Sequence, residues 1–442
     1  MSKRLLEKIN NNTAQICVIG LGQVGLPVAL SFCKAEFIVR GLDINENHIN
    51  LLKNQQVPFE EPVLQELLNQ YIKENKFIPT QDHNVISNSD IIIVCVPTPI
   101  SHENRPELSL LKGVCDMISK FELENKLIVI ESSIPPKTFE SLILPILSKN
   151  KNNNFLVSYI PERLAPGQAF EEIRKTSRVI GALDEESRIV SKTLYSKILE
   201  SEIFLTNPLV AETCKLVENT FRDVNVAFAN EIAMICEKYG IDMLELRKIC
   251  NSHPRVNILS PGPGVGGPCL PKDPYLLLNP QNSEQIKSEM ILTARKINDN
   301  MPFHVLELIQ NSLKQNNKNI ANTTITIFGV TYKANVSDTR YSPAEKIISE
   351  LLKSGCKIVV NDPKTKENFN VKKEDDVLKS VMKSDMILVL TEHDEFKDLD
   401  LNKIKKQMNE NPILIDTRRI FKKEVAEEIG FEYIAIGYNK QN

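Results

Sequence analysis

No apolar run in the 442-residue chain reaches the roughly 18 residues needed to cross a membrane. The opening stretch, MSKRLLEKINNN, has no signal-peptide core. A cytoplasmic chain without membrane contact is therefore expected. Nor is there a large excess of either charge: 54 Lys and Arg against 57 Asp and Glu leave −3. Nothing global points to nucleic acid or a charged membrane surface, so any anionic ligand must be held by local basic residues. The nine cysteines are odd in number and no pair has metal-ligand spacing. Cys17, Cys33, Cys95 and Cys236 sit within apolar strand or helix patterns. This usage suits a reducing compartment and argues against a zinc enzyme. Internal sequence repeats and low-complexity segments are also missing. What is present is ordinary globular sequence, 42% hydrophobic and 25% charged, long enough for two or three domains with full cores.

Against that background one stretch stands out: Pro261-Gly-Pro-Gly-Val-Gly-Gly-Pro-Cys269-Leu-Pro-Lys272-Asp273-Pro274. Four glycines and five prolines in fourteen residues exclude a helix interior or a central strand. The loop is stiff and bent, with its backbone open to a ligand. Cys269 lies at its centre, with Lys272 and Asp273 just beyond. A thiolate is a strong nucleophile, and neighbouring cations favour it. A buried structural cysteine is the ordinary alternative, but the Gly/Pro density and the Lys-Asp pair favour a reactive thiol.

Residues 14–19 read as a buried strand running into Gly20-x-Gly22-x-x-Gly25 and a helix start. A second strand over 37–42 ends at Asp43, eighteen positions past the third glycine. Strand, glycine turn, helix and acidic residue together form a dinucleotide-binding pattern. Gly20 makes the tight turn, Gly22 lets a pyrophosphate approach the backbone, and Gly25 lets helix pack on strand. Asp43 would accept bonds from a ribose 2′-hydroxyl and repel a 2′-phosphate, which favours NAD over NADP. After a helix over 64–74, apolar strands are expected within 90–99, 126–136 and 155–167, each ending in polar and proline residues. Such strand ends open onto the ligand crevice of a parallel sheet, where Ser132, Ser133 and Glu162 would face it.

From about 207 to 300 the pattern turns helical. Val210, Cys214, Val217, Phe221, Val224, Phe228, Ile232 and Ile235 recur at helical spacing over about 30 residues, roughly 45 Å of helix. Lys215 and Asn219, four apart, project side by side. The remaining charges, such as Glu212 and Lys238, read as a solvated face. The last third returns to strands over 324–330, 356–363, 385–391 and 413–416 separated by helical segments, a second doubly wound domain. Basic loops follow its first strand (Lys333, Arg340) and its last (Arg418, Arg419). The expected architecture is α/β: two Rossmann-like doubly wound domains, 1–206 and 318–442, joined by a long central helix in a helical middle domain, 207–305. The tail 439–442 is expected to fray.

These residues resemble the UDP-glucose/GDP-mannose dehydrogenase family over nearly the whole chain. The matching motifs are the glycine turn, Val96-Pro97-Thr98-Pro99, Glu131-Ser-Ser-Ile-Pro-Pro136, Pro161-Glu162-Arg163, Lys215-x-x-x-Asn219, the cysteine loop, Lys333…Asp338-Thr-Arg340 and Asp416-Thr-Arg418. The resemblance implies oxidation of a sugar C6 alcohol to a carboxylate with two NAD, in a homodimer or higher homo-oligomer whose dimer interface is the long helix. It implies Cys269 as nucleophile, Lys215 and Asn219 as oxyanion donors, and Asp273 and Glu162 as residues that position or activate water. Cofactor contacts would come from Gly20, Gly22, Gln23, Val24, Gly25, Asp43, Pro97, Thr98, Ser133 and Arg340. Substrate contacts would come from Arg163, Leu164, Lys215, Asn219, Gly266, Lys333 and Arg418, with Arg255 reaching the neighbouring subunit. Pro161-Glu162-Arg163, the segment 218–225 and the segment 253–259 are similar to the UDP-N-acetylmannosamine branch. Pro268 stands where that branch usually has His, and Leu270-Pro-Lys272-Asp273 is closer to the glucose branch. UDP-glucose and UDP-N-acetylglucosamine therefore remain alternative substrates. A single-step hydroxyacid dehydrogenase would need neither the thiol nor a second nucleotide domain. A non-catalytic sugar-nucleotide sensor would be expected to have lost Cys269 or Lys215.

Overall fold

The computed structural model describes residues 2–59, 61–149, 154–163 and 169–438. The chain divides into two compact units, Met1–Glu218 with Lys272–Lys287, and Asn219–Pro271 with Ser288–Asn442. One break falls inside the long helix Pro208–Tyr239 and another at the end of the cysteine loop.

The first unit is built on strands β1 (Gln15–Ile19), β2 (Ile38–Leu42), β3 (Phe77–Thr80), β4 (Ile91–Val94), β5 (Leu127–Ile130), β6 (Leu156–Tyr159), β7 (Arg178–Gly181) and β8 (Ile203–Thr206). Their order is β3-β2-β1-β4-β5-β6-β7-β8, parallel except where β7 meets β6. The order reverses between β1 and β4, so a crevice opens at the strand ends there. Side chains alternate between two cores: Ile16, Val18, Ile91 and Ile93 enter one, Cys17, Ile19, Ile92 and Val94 the other. Burial on both faces explains why these strands are continuous apolar runs. The sequence reading missed β3, which carries Pro79 and is tolerated as an edge strand. It also missed β7, β8 and the helix Ser2–Asn10, which buries Leu5 and Ile9. Lys8 on that helix pairs with Asp90 at 2.5 Å, and Asp90 also accepts the Gln15 amide at 2.9 Å.

The second unit holds β9 (Thr324–Phe328), β10 (Lys357–Asn361), β11 (Lys372–Lys373), β12 (Met386–Val389), β13 (Ile413–Asp416) and β14 (Glu432–Ile434), all parallel, in the order β11-β10-β9-β12-β13-β14. The doubly wound class expected from the sequence is thus present twice. The two sheets also share devices that no sequence repeat announced. Lys318 and Asp385 pair at 3.4 Å while Asp385 accepts the Thr324 amide, repeating Lys8, Asp90 and Gln15. Asp362 after β10 accepts the Val330 amide, as Asp43 after β2 accepts that of Leu21.

The helix Pro208–Tyr239 corrects one expectation. Its apolar residues Val210, Val217, Phe221, Phe228 and Ile235 are exposed, Phe221 by 63%. Glu212, Lys215, Asn219, Asp223 and Asn230 are buried. Glu212, read as part of a solvated face, accepts the backbone N–H groups of Lys137 and Phe139, and burial pushes its carboxyl up to about 7. Lys238 is solvated as expected. Among the described residues no helix is long and apolar enough to cross a membrane.

Candidate active site

In the first unit the glycine turn shows why each glycine is there. Gly20 has φ +89°, and a Cβ on it would lie 2.9 Å from the Cys95 carbonyl oxygen. A Cβ on Gly25 would meet the Gly20 oxygen at 1.8 Å. Gly22 is different: a Cβ there would find nothing within 4 Å. The protein's own packing does not demand that glycine, whereas a ligand lying on the backbone does. The helix Gly25–Lys34 follows with Val24 as an N-cap that makes no side-chain bond, so its first turn faces the crevice uncapped. Asp43 Oδ2 accepts the Leu21 amide at 2.8 Å and Oδ1 the Asn45 amide at 2.9 Å, bracing the turn from the end of β2. These features fit a dinucleotide. At the ends of β4 and β5, Pro97 is exposed while Thr98 is buried and donates to the Ser133 carbonyl. Lys272 Nζ donates to the Thr98 carbonyl at 2.9 Å and lies 3.5 Å from Asp273.

Beyond β6, Glu162 is buried. Burial pushes its carboxyl up to about 7; Lys215 and Arg178 oppose the rise, while Glu131 and Asp273 add to it. One of its oxygens, Oε1, has no hydrogen-bond partner among the described residues. A carboxyl that titrates near neutrality in a nearly dry site is suited to moving a proton. Asp273 opens the short helix Asp273–Leu278 with its side chain fully buried. Lys215 reaches the same cluster from the long helix, and Asn219, one turn on, is buried as well. Arg163 is held by Glu218 (Nε to Oε2, 3.1 Å) and by Ser177. Leu164 lies outside the described residues.

In the second unit the cysteine loop is fixed from several sides. The Gly262 amide donates to Asn230 Oδ1 at 2.9 Å, and Asn230 is tied through Asn298 to Asp223. Asp223 in turn pairs with buried Arg295 at 2.6 Å. A Cβ on Gly266 or Gly267 would collide with the Tyr332 side chain at 2.6–2.7 Å. The Gly267 amide donates to the Arg340 carbonyl at 3.0 Å. Cys269 is half-buried and lies close enough to Tyr332 and Arg340 for a thiolate there to act electrostatically on both. The Arg340 guanidinium is aimed by two bonds from Nε to Asp338, at 2.9 and 3.1 Å.

Three family models match in chain order: the UDP-glucose/GDP-mannose dehydrogenase NAD binding domain over 14–199, its central domain over 209–300 and its UDP binding domain over 326–423. The chain belongs to the UDP-glucose/GDP-mannose dehydrogenase family. It is an NAD-dependent oxidoreductase. A protein of Methanococcus vannielii named UDP-N-acetyl-D-mannosamine dehydrogenase is 37% identical over 99% of both chains. The solved structure of a UDP-D-ManNAc dehydrogenase from Pyrococcus horikoshii superposes with a TM-score of 0.89 at 35% identity, covering 96% of this chain and 99% of that one. An NDP-N-acetyl-D-galactosaminuronic acid dehydrogenase from Methanosarcina mazei gives 0.81 at 30% identity, with 98% of each chain covered.

The remaining expected residues of this dehydrogenase lie on loops. In the second unit, Lys333 is exposed in the loop after β9. Arg418 follows β13, donates from Nε to the Leu390 carbonyl at 2.9 Å and presses its guanidinium against Gly262. Asp416 shapes that loop by accepting the amides of Arg418 and Phe421; burial pushes its carboxyl up to about 6. Arg255 is exposed in the segment after the helix Met243–Cys250. The sequence reading quoted Glu131 within a motif but gave it no role, and it did not find Arg178, Tyr195 or the Asp223–Arg295–Asn298–Asn230 relay. A signal for the relay existed: Glu212, Lys215, Asn219, Asp223 and Asn230 recur at three, four or seven residues, a polar stripe at helical period.

Proposed function

We propose that this family member oxidises the C6 alcohol of a UDP-N-acetylhexosamine, UDP-N-acetylmannosamine foremost, to the uronate in two steps through Cys269. When bound, NAD accepts a hydride in each step. Lys215 assists removal of the C6 hydroxyl proton in the first. In the second the Cys269 thiolate adds to the aldehyde carbon, and Lys215 with Asn219 stabilises the resulting oxyanion. Loss of the second hydride leaves a thioester on Cys269. Glu162, assisted by Asp273, takes a proton from water, which attacks the thioester and releases the carboxylate and the thiol.

The observation that carries this reading is the second-unit loop holding a half-buried thiol beside the Arg340 cation, with a Cβ on any of its four glycines lying 2.6–3.0 Å from a neighbouring atom. Full-length likeness to proteins named for N-acetylmannosamine supports the sugar. The M. mazei relative keeps other N-acetylhexosamines in the comparison. Lys333 and Arg418 serve the UDP moiety and Arg340 the cofactor phosphates. The nine free cysteines suit action in the cytoplasm. The exposed apolar stripe on Pro208–Tyr239 supports a homodimer, with Arg255 extending into the partner's site.

The test is NADH produced per substrate across UDP-hexoses and UDP-N-acetylhexosamines, with wild type and Cys269→Ala. Two NADH per sugar and highest kcat/KM on UDP-N-acetylmannosamine are expected. The variant should fail to oxidise a supplied C6 aldehyde. Near wild-type oxidation of that aldehyde by Cys269→Ala would refute the covalent route, and faster turnover of UDP-glucose would refute the sugar.

A further inference from the structure

Beneath the ends of β4, β5 and β6 lies an arginine that the proposed reaction does not use. Arg178, the first residue of β7, is 1% exposed. Its Nη1 donates to the Pro161 carbonyl at 3.1 Å, and its Nε and Nη2 have no hydrogen-bond partner among the described residues. A buried guanidinium so incompletely bonded is costly, and its retention is poorly explained as a contribution to stability. Its charge acts on groups from four directions: Glu131 after β5, Glu162 after β6, Cys95 after β4, and Tyr195 on the helix Glu185–Tyr195. Glu131 is itself buried, accepts the Tyr195 hydroxyl on one oxygen and faces the Cys95 thiol at 3.8 Å on the other.

We infer that Arg178 is a positioning residue for the reaction: it fixes the Pro161–Glu162 backbone from beneath and supplies the buried positive charge that lets Glu162 give up and take back a proton away from bulk water. This rests on the role given to Glu162 above. Proline at 161 has no N–H, so its carbonyl is the anchor that backbone unit offers, and Arg178 takes it. The groups facing Glu162 are Lys215 and Arg178 on the positive side, Glu131 and Asp273 on the negative, with the neutral Cys95 thiol and Tyr159 phenol completing the surround. With carboxylates crowding one another, removal of either cation leaves the Glu162 anion underneutralised.

Glu162 works as a base only when ionised, so losing Arg178 moves the rise of activity to higher pH, while losing the Glu131 charge moves it lower. The experiment measures the pH dependence of kcat/KM on the UDP-sugar, and in parallel titrates the protonated Glu162 carbonyl band by infrared difference spectroscopy, assigned with Glu162→Gln. Arg178→Met should shift both midpoints up by about one pH unit or more, with activity lost at pH 7 recovered in alkali. Arg178→Lys should return the midpoint toward wild type, and Glu131→Gln should move it down. A purely structural arginine would lower activity at every pH alike and leave the infrared midpoint where it was. Unmoved midpoints in Arg178→Met, or in Glu131→Gln if the methionine variant does not fold, overturn the inference. Absence of turnover on any UDP-sugar would instead sink the proposed function, and the infrared titration would still decide the role of Arg178.

Discussion

Replacing Gly22 by alanine separates what the glycine turn does for the fold from what it does for the cofactor. The added methyl meets no atom within 4 Å, and Gly22 does not occupy the left-handed region that makes alanine strained. Stability should stay level or rise by up to about 1 kcal/mol, because the unfolded chain loses freedom. Binding should go the other way. The methyl stands where the pyrophosphate must come close to the backbone, so at least one charge-assisted hydrogen bond is lost, about 1.5–3 kcal/mol. That corresponds to roughly a 10- to 150-fold rise in the Kd for NAD. The assay pairs calorimetric melting of the free protein with titration calorimetry of NAD. Gly25→Ala is the contrasting control, since its methyl would sit 1.8 Å from the Gly20 oxygen and must distort the turn itself. An NAD affinity within about twofold of wild type in Gly22→Ala would refute the reasoning, as would a melting point lowered as far as in Gly25→Ala.

Asp223→Ala leaves buried Arg295 with Asp299 as its remaining acidic partner, and should destabilise the second unit by about 1–3 kcal/mol, read as a lower urea midpoint. A loss below about 1 kcal/mol would show that the relay behind Gly262 is not structural. Phe221→Glu puts a charge in the middle of the exposed stripe on Pro208–Tyr239 and should convert a dimer to a monomer in sedimentation velocity. A monomeric wild type at micromolar concentration, or an intact Phe221→Glu dimer, would exclude that helix as the contact.

The parts of this chain legible in sequence are those where local chemistry and global role agree. The strands β1, β4 and β5 are buried on both faces and so could be written only as unbroken apolar runs. The glycine turn was readable because each glycine answers a local steric demand or an open approach. The short edge elements were not. β3 contains proline, β8 is largely exposed, and β11 is two lysines, so none carries a periodic signal strong enough to stand apart from loop. The long helix misled for a different reason. Hydrophobic periodicity finds a helix but not which face the chain buries on itself, and here the polar face is the inward one. Arg178, and the role of Glu131, were hidden because they depend on strands far apart in sequence meeting at one end of a sheet.

The pairing of Asp43 with Asp362 bears on any attempt to re-engineer cofactor choice. In both sheets the carboxylate at the end of the second strand accepts the amide that follows the turn glycine, through Leu21 in one and Val330 in the other. In the second sheet Asp362 is buried and both its oxygens are taken by the protein, Oδ2 by the Val330 amide and by His393 at 3.2 Å, Oδ1 by the Lys364 amide at 2.8 Å. The acid is therefore a brace before it is a ligand. A redesign that removes Asp43 to admit a 2′-phosphate also unfastens the turn that must cradle the pyrophosphate. The safer position to vary is its neighbour Ile44, exposed beside it, where a new cation can be introduced while the brace stays in place.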